Sequence, residues 1–313
     1  MEIKKSTRFS SFAVIQNMFF FQVSLGITAN TVLLLFHVLT FLLQHKPKST
    51  DLIIGHLALI HIVMLLIVGV IAVDIVGFPD LWNDITCKCV LYLYRLMRGL
   101  SICTTCLLSV LQAITLSPRS SYLTKFKQTS LHQNLCCFLF LWVFNMIISS
   151  RFLISTIATP NVSSQSLMFV TESCSLWPIS YLVKYIYFSL VTFRDVSFIG
   201  VMALSSVYMV SLLCRHKRES QHLHSTSQSP KASPEQRATQ TILLLMSFFM
   251  TMYFLDCVIA STSGMLWKND SIHYRIQMFL GNGYATFSPL VLISTEKRMI
   301  KGLVSMWGRS VNV

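Results

Sequence analysis

Two arginines stand inside a stretch that is otherwise apolar enough to cross a lipid bilayer. Arg95 and Arg98 lie in the first half of the run from Cys87 to Pro118. A charged side chain that faces lipid is unfavourable, so such residues usually face a bundle interior or a water-filled cavity. Because the two arginines are three residues apart, one helical face can carry both. Either they line a ligand cavity with Tyr94, or they pair with acids and only shape the bundle.

Acidic residues that could pair with these arginines are few. Asp74, Glu172 and Asp195 are the partners that we consider on the second interpretation. Asp195 also follows Arg194 directly, and the two can form a local structural pair. Asp256 is a further acid in an apolar run, which indicates either a functional group or a hydrogen bond between helices.

Cysteine and histidine spacing raises the possibility of metal or redox chemistry. Cys103-x-x-Cys106 has a suitable spacing, but neither a histidine nor a second cysteine pair accompanies it, so we interpret both as packing residues. His61 lies one turn and a residue after His56. A proton relay or metal site competes with a hydrogen-bonded core histidine, which we favour because no carboxylate is near in sequence. We therefore expect no metal and no cofactor.

The composition places these residues in a membrane protein. The 313 residues are 53% apolar and only 12% charged, whereas about a quarter of residues are charged in soluble domains. Apolar runs of about 20 residues recur, the length that spans a bilayer. The net charge of +13 is better explained by membrane orientation than by nucleic-acid binding. No G-x-S-x-G, phosphate-binding glycine loop or H-E-x-x-H occurs, so we expect no enzyme.

The hydropathy pattern predicts an all-α membrane fold, a bundle of seven transmembrane helices in one domain, residues 1–313. The first apolar run is too long for a signal peptide and is interpreted as an uncleaved span. A polar segment at 158–179 separates the fourth and fifth spans. We predict an inner loop at 214–240 and a short inner tail at 295–313. The predicted spans are 11–43, 51–76, 88–116, 134–157, 181–213, 241–263 and 276–294.

Positive charge predicts the orientation of the bundle. With the N-terminus outside and the C-terminus inside, the inner segments hold 14 Lys and Arg residues and the outer segments hold six. Cytoplasmic segments carry the excess of such residues in most membrane proteins. The N-x-S/T sequons at Asn161 and Asn269 then lie outside, where glycosylation takes place. Cys174 lies outside too, and either Cys87 or Cys89 can pair with it there.

Several residues resemble helix landmarks of G-protein-coupled receptors. Asn30 in GITANTVLL, Trp142 in LFLWVFN and Pro289 in the last span occupy such positions. The chain also departs from the rhodopsin-like pattern. Leu111-Gln112-Ala113 stands where an acidic-Arg-aromatic triplet is usual, and His61 stands where a sodium-binding aspartate is usual. The sixth span lacks its proline, and the seventh ends in FSPLVLI.

Together these departures are similar to the vomeronasal type-1 (pheromone) receptors, and the resemblance covers nearly the whole chain. RGLSICTTCLLSVLQAITLSP is its most specific segment. Bitter taste receptors are the nearest alternative family and fit these stretches less well. A seven-span transporter or channel would need polar residues through the inner half of the bundle, where the third span is small and neutral. The other matching stretches are GHLALIHIVMLL, FRDVSFIGVMALSSVYMVSLLCRHKR, SPEQRATQTILLLMSFF and FLGNGYATFSPLVLI.

The resemblance implies a plasma-membrane receptor for small volatile or hydrophobic chemosignals that activates an inhibitory-class heterotrimeric G protein. It favours a Cys87–Cys174 disulfide and glycosylation at Asn161, with Asn269 a weaker site. Our hypothesis places the agonist in the outer half of the bundle, against Tyr94, Arg95 and Arg98. The residues that we expect to face the G protein are Leu111, Gln112, Ala113, Arg119, Arg215, Lys217 and Arg218.

Overall fold

The computed structural model of the chain is mostly helical. It describes residues 2–43, 49–74, 82–118, 131–158, 168–169, 173–176, 180–223, 234–265 and 271–295. These residues form seven long helices, one short helix and three short strands. The helices are α1 (Glu2–Leu43), α2 (Ser49–Asp74), α3 (Asp84–Leu116), α4 (Leu131–Ser149), α5 (Arg151–Ser155), α6 (Tyr181–Leu223), α7 (Pro234–Met265) and α8 (Ser271–Thr295). The strands are β1 (Thr156–Ala158), β2 (Met168–Phe169) and β3 (Cys174–Leu176).

Six segments within the described residues are long and apolar enough to cross a membrane. They lie in α1, α2, α3, α6 and α7 and in the combined α4–α5 segment. The seventh long helix, α8, carries several polar side chains that are buried against its neighbours. These are Asn282, Thr286 and Ser288.

Helix α3 lies at the centre of the bundle. In the most apolar 18-residue stretch of α3, 72% of the residues are buried, whereas 17% are buried in the corresponding stretch of α6. It packs against α2, α4, α6 and α7, while α1 packs between α2 and α8. The helix begins where the Asn83 side chain accepts a 2.8 Å hydrogen bond from the Thr86 amide, a standard N-cap. It ends at Leu116 because Pro118 disfavours helical backbone at Ser117, the residue before it.

A small antiparallel sheet covers the N-terminal end of α3. The strand order is β1–β3–β2, with Ala158 opposite Cys174. A disulfide joins Cys174 to Cys87 on α3, and the Ala158 amide donates a 2.7 Å hydrogen bond to Asp84 Oδ1. We call this end of the bundle the disulfide end.

The structure corrects the predicted loop at 214–240. Helix α6 continues to Leu223 and α7 already begins at Pro234. Of the predicted loop, residues 224–233 are the part that the structure does not describe. The hydropathy pattern marks where apolar residues stop, but Arg, Lys, Glu and Gln are good helix formers and extend a helix beyond the apolar run. The same effect explains why α1 begins at Glu2 and not near residue 11. Three strands that the sequence did not predict follow α5, and the first of them, β1 (Thr156–Ala158), begins inside the predicted fourth span at 134–157.

Candidate functional site

A charged pair joins two helices inside the bundle. Arg98 on α3 forms an ion pair with Asp256 on α7 through Nη2 and Oδ2. The Arg98 side chain is 21% exposed and that of Asp256 is 9% exposed. One turn closer to the disulfide end, the Tyr94 hydroxyl donates a weak 3.5 Å hydrogen bond to Asn282 Oδ1 on α8. Arg98, Asp256, Tyr94 and Asn282 therefore bring α3, α7 and α8 together.

The Arg98–Asp256 ion pair fits against α8 because α8 carries a glycine, Gly281, beside it. A Cβ atom on Gly281 would lie 3.0 Å from Arg98 Nη1 and 3.2 Å from Asp256 Oδ1. Both distances are shorter than ordinary van der Waals contact, so a larger residue would push against the charged groups. Gly281 lets the α8 backbone approach the ion pair closely.

A cavity of about 30 Å³ lies beside this ion pair. Arg98 and Asp256 are the charged residues that line it, and the rest of the lining is mainly apolar or aromatic. A water molecule needs roughly 10–15 Å³ of such space, so the cavity as it stands fits a few waters or the end of a larger molecule. Its lining also includes Met64, Ser101, Ile102, Phe249, Met252, Tyr253, Gly281 and Tyr284.

Arg95 occupies a different environment from Arg98. Its guanidinium carbon lies 5.2 Å from the ring centroid of Phe152 on α5, and the residue is exposed. At 100° per residue, positions three apart differ by about 60° around a helix, which is enough to direct the two arginines to different neighbours. The structure places Arg98 at the cavity and Arg95 at the side of the bundle.

Asp256 was not among the three acids considered as arginine partners. Asp195 instead pairs with Arg194, whose Nη2 lies 2.7 Å from Asp195 Oδ1. This local pair confirms the sequence-based interpretation of those two adjacent residues. Glu172 and the side chain of Asp74 lie outside the described part of the structure.

The Arg194–Asp195 pair belongs to a network that links four helices. Arg194 Nη1 donates a 3.1 Å hydrogen bond to Asn145 Oδ1 on α4. The Tyr253 hydroxyl on α7 donates a 3.0 Å hydrogen bond to Asp195 Oδ2, and Asn145 Nδ2 donates to Cys103 Sγ on α3 at 3.5 Å. Since Tyr253 also lines the cavity, the network reaches the site.

Gly99 on α3 makes this network possible. A Cβ atom there would collide with Asn145 Oδ1 and would lie 2.7 Å from Arg194 Nη1. Sequence reasoning missed Gly99, Asn145 and Tyr253. Two features of the sequence could have indicated them. Gly99 is next to Arg98, and Tyr253 lies three residues before Asp256 on the same helical face.

Both histidines of α2 form hydrogen bonds, and His61 is buried while His56 is partly buried. His61 Nε2 lies 2.9 Å from the Ser101 hydroxyl, and its Nδ1 lies 3.5 Å from the Ser288 hydroxyl. His56 Nε2 accepts a 3.0 Å hydrogen bond from Trp142 Nε1. These contacts support the core-histidine interpretation. Within the described residues, no three His, Cys, Asp or Glu side chains cluster as metal ligands.

The end of the bundle opposite the disulfide contains the residues predicted to face a G protein. Leu111, Gln112 and Ala113 are all buried, and Gln112 Nε2 donates a 3.2 Å hydrogen bond to Thr239 Oγ1 on α7. Arg215 and Arg218 are exposed near the end of α6. Arg119 and the side chain of Lys217 lie outside the described residues.

Comparison with known proteins identifies the family. Residues 13–305 match the family described as "Vomeronasal organ pheromone receptor family". Vomeronasal type-1 receptor 90 of Rattus norvegicus is 56% identical over 297 residues, covering 95% of this chain and 96% of the rat protein. Vomeronasal type-1 receptor 43 of Mus musculus is 50% identical over 311 residues, covering 99% and 94%. This chain belongs to the vomeronasal type-1 receptor family.

Membership makes the chain a multi-pass plasma-membrane receptor of the G-protein-coupled class and not an enzyme. It implies a bundle of seven transmembrane helices, in which α8 supplies the seventh span. The match also decides against a bitter taste receptor, which was the alternative family.

Several residues on which the resemblance was based can be located in the structure. Cys87 and Cys174 form the expected disulfide, while Cys89 is free and exposed. Asn30 Nδ2 donates a 2.9 Å hydrogen bond to the Ala285 carbonyl oxygen, which joins α1 to α8. Pro289 lies inside α8. The sequons at Asn161 and Asn269 lie outside the described residues.

Proposed function

We propose that the receptor binds a small volatile or hydrophobic chemosignal in the cavity beside Arg98 and Asp256. The observation that carries this proposal is an ion pair, between a buried aspartate and a partly buried arginine, in the wall of a cavity whose lining is otherwise mainly apolar. Ligand sites are typically apolar concavities with a few well-placed polar groups. In this proposal Arg98 contacts the ligand, whereas Tyr94 and Arg95, the other two residues predicted to do so, are not among the residues that line the cavity.

Binding must differ between two arrangements of the helices to produce a signal. An agonist shifts the equilibrium only as far as its affinities for the two arrangements differ. The ion pair joins α3 to α7, and so does the Gln112–Thr239 hydrogen bond at the opposite end. A ligand that separates α3 from α7 at the cavity would therefore favour rearrangement at Gln112 as well.

We propose that the disulfide end lies outside the cell and the opposite end meets an inhibitory-class G protein. The excess of Lys and Arg in the segments at the opposite end supports this orientation. Arg215 and Arg218, exposed near the end of α6, would then contact the G protein. Leu111, Gln112 and Ala113 are buried and would reach it only after α3 and α7 move apart.

Glycosylation tests the orientation. Cells that express the receptor should yield a product whose electrophoretic mobility increases after glycosidase treatment. We expect Asn161→Gln to remove most of that shift and Asn269→Gln to remove little of it. A receptor that carries no glycan, while an engineered sequon in the 224–233 segment is glycosylated, would reverse the orientation.

Signalling tests the function. Membranes containing the receptor and an inhibitory-class G protein should exchange guanine nucleotide faster when a small volatile agonist is present. We expect Arg98→Gln to abolish this response at equal surface expression. An unchanged dose response in Arg98→Gln would remove Arg98 from the binding site.

A further inference from the structure

One carboxylate oxygen at the cavity has no hydrogen-bond partner. Asp256 as a whole residue is only 6% exposed, and its Oδ2 pairs with Arg98. Its Oδ1 is buried and accepts no hydrogen bond from the described residues. A buried acceptor without a donor is destabilising, and more so when the group is charged.

The carboxylate that carries this oxygen lies in the wall of the cavity. Asp256 and Gly281 both line the cavity, and a Cβ atom on Gly281 would lie 3.2 Å from Oδ1. Since glycine has no side chain, the α8 backbone comes close to Oδ1, and the oxygen is buried. A hydrogen-bond donor in the cavity would meet Oδ1 once the Asp256 carboxylate turns towards it.

The charge of the site decides what kind of donor it accepts. Arg98 already compensates the charge of Asp256, so the pair is neutral overall. A carboxylate ligand would need Arg98 for itself and would leave Asp256 uncompensated. A protonated amine would add a second positive charge beside Arg98. Uncompensated charge inside a membrane protein is strongly unfavourable, whereas a hydroxyl group supplies the donor without changing the charge.

We infer that the receptor recognises neutral, mainly apolar molecules that carry a hydroxyl group, and that this hydroxyl donates a hydrogen bond to Asp256 Oδ1. The inference rests on the proposed function for the location of the ligand. The apolar part of the molecule contacts Met64 and Met252, whose flexible side chains adapt to different shapes. Because a hydrogen bond to a charged group contributes about 1.5–3 kcal/mol, loss of the hydroxyl should weaken binding roughly tenfold or more.

A protection experiment tests the ligand class without a G protein. The receptor carrying Met252→Cys is placed in nanodiscs, and the introduced thiol is labelled with a small thiol reagent. Mass spectrometry of the peptide that contains position 252 quantifies the labelling. This distinguishes the introduced thiol from the native cysteines. The probes are benzyl alcohol, toluene, benzylamine and benzoate, compared at equal concentration in the membrane. We expect benzyl alcohol to slow labelling at roughly one-tenth of the toluene concentration, and at lower concentrations than either charged probe.

Two further backgrounds show whether Asp256 is the source of the preference. Replacing both members of the pair, Arg98→Leu with Asp256→Leu, leaves no buried charge uncompensated and should abolish the preference for benzyl alcohol. Asp195→Asn removes the acid of the buried Arg194–Asp195 pair, which is absent from the cavity lining, and should retain the preference.

Three results would overturn the inference. They are equal protection by toluene, better protection by a charged probe, and no protection by benzyl alcohol at saturation. None of them involves a G protein, so failure here leaves the proposed function to be judged by nucleotide exchange. Conversely, a hydroxyl preference in a receptor that never promotes exchange would overturn the proposed function and leave the binding site in place.

Discussion

Arg98 and Asp256 are 158 residues apart in the sequence and form an ion pair between α3 and α7. The pair lies beside a glycine of α8 and in the wall of a cavity. Removing one partner of a buried pair leaves an uncompensated charge, which is more destabilising than replacing both.

The stability of Arg98 and Asp256 variants tests this pairing. We expect Arg98→Leu and Asp256→Leu each to reduce the free energy of unfolding by about 3–5 kcal/mol. The double variant should be more stable than the sum of the two single effects predicts. Thermal unfolding in nanodiscs measures the coupling. Strictly additive effects would mean that the two side chains do not interact.

Close helix contact at Gly99 gives a second prediction. Gly99→Ala inserts a methyl group against Asn145 and Arg194, and overpacking of this kind typically costs about 1–3 kcal/mol. Gly200→Ala on α6 is the matched control, because a Cβ atom there meets nothing within 4 Å. We expect the control to be neutral or slightly stabilising, since alanine is the better helix former. Equal unfolding temperatures for both variants would contradict the packing described at Gly99.

The disulfide gives a third prediction. Cys87→Ser and Cys174→Ser should each lower stability by about 2–5 kcal/mol, the range found when native disulfides are removed. Because either change breaks the same bond, the double variant should be little worse than either single one. Cys89→Ser, at a free and exposed cysteine, serves as control and should be close to wild type. The measurement is thermal unfolding with and without reductant, and a reductant effect that survives in Cys87→Ser would count against this bond.

Basal activity should depend on the hydrogen bond between Gln112 and Thr239. Gln112→Leu removes a link between α3 and α7 worth about 0.5–1.5 kcal/mol. Agonist-free nucleotide exchange should therefore rise roughly two- to tenfold, as the arrangement with separated helices becomes more populated. Thr115→Ala is the control, because the Thr115 hydroxyl donates to the Gln112 carbonyl oxygen within its own helix. A rise of equal size in Thr115→Ala would show that the effect is not specific to the link.

The membrane class and the central position of α3 follow from the sequence because they depend on composition and on where arginines fall in one apolar run. The partner of Arg98 could not be predicted in this way. It depends on the rotation of α7 about its axis, and because the polar and apolar residues of α7 are not segregated on opposite faces, the sequence gives little indication of which face is buried. Asp256 was recognised as a buried acid, but its neighbour across the bundle was not.

Helix ends and loop structure were predicted least well. The extension of α6 to Leu223 and the start of α7 at Pro234 lie in polar sequence, where hydropathy carries no information. The strands β1–β3 depend on pairing between residues such as Ala158 and Cys174, which local propensity does not determine. Gly99 and Gly281 are small residues whose importance appears only when the side chains that approach them are known.

Nucleotide exchange on an inhibitory-class G protein tests the central claim most directly. The receptor, with surface expression matched between variants, would be exposed to a panel of small volatile and hydrophobic compounds. The account predicts that at least one compound accelerates exchange in the wild type and that Arg98→Gln abolishes the response. Exchange that no compound accelerates, in a receptor that is folded and present at the surface, would contradict the claim that this chain is a signalling chemosensory receptor.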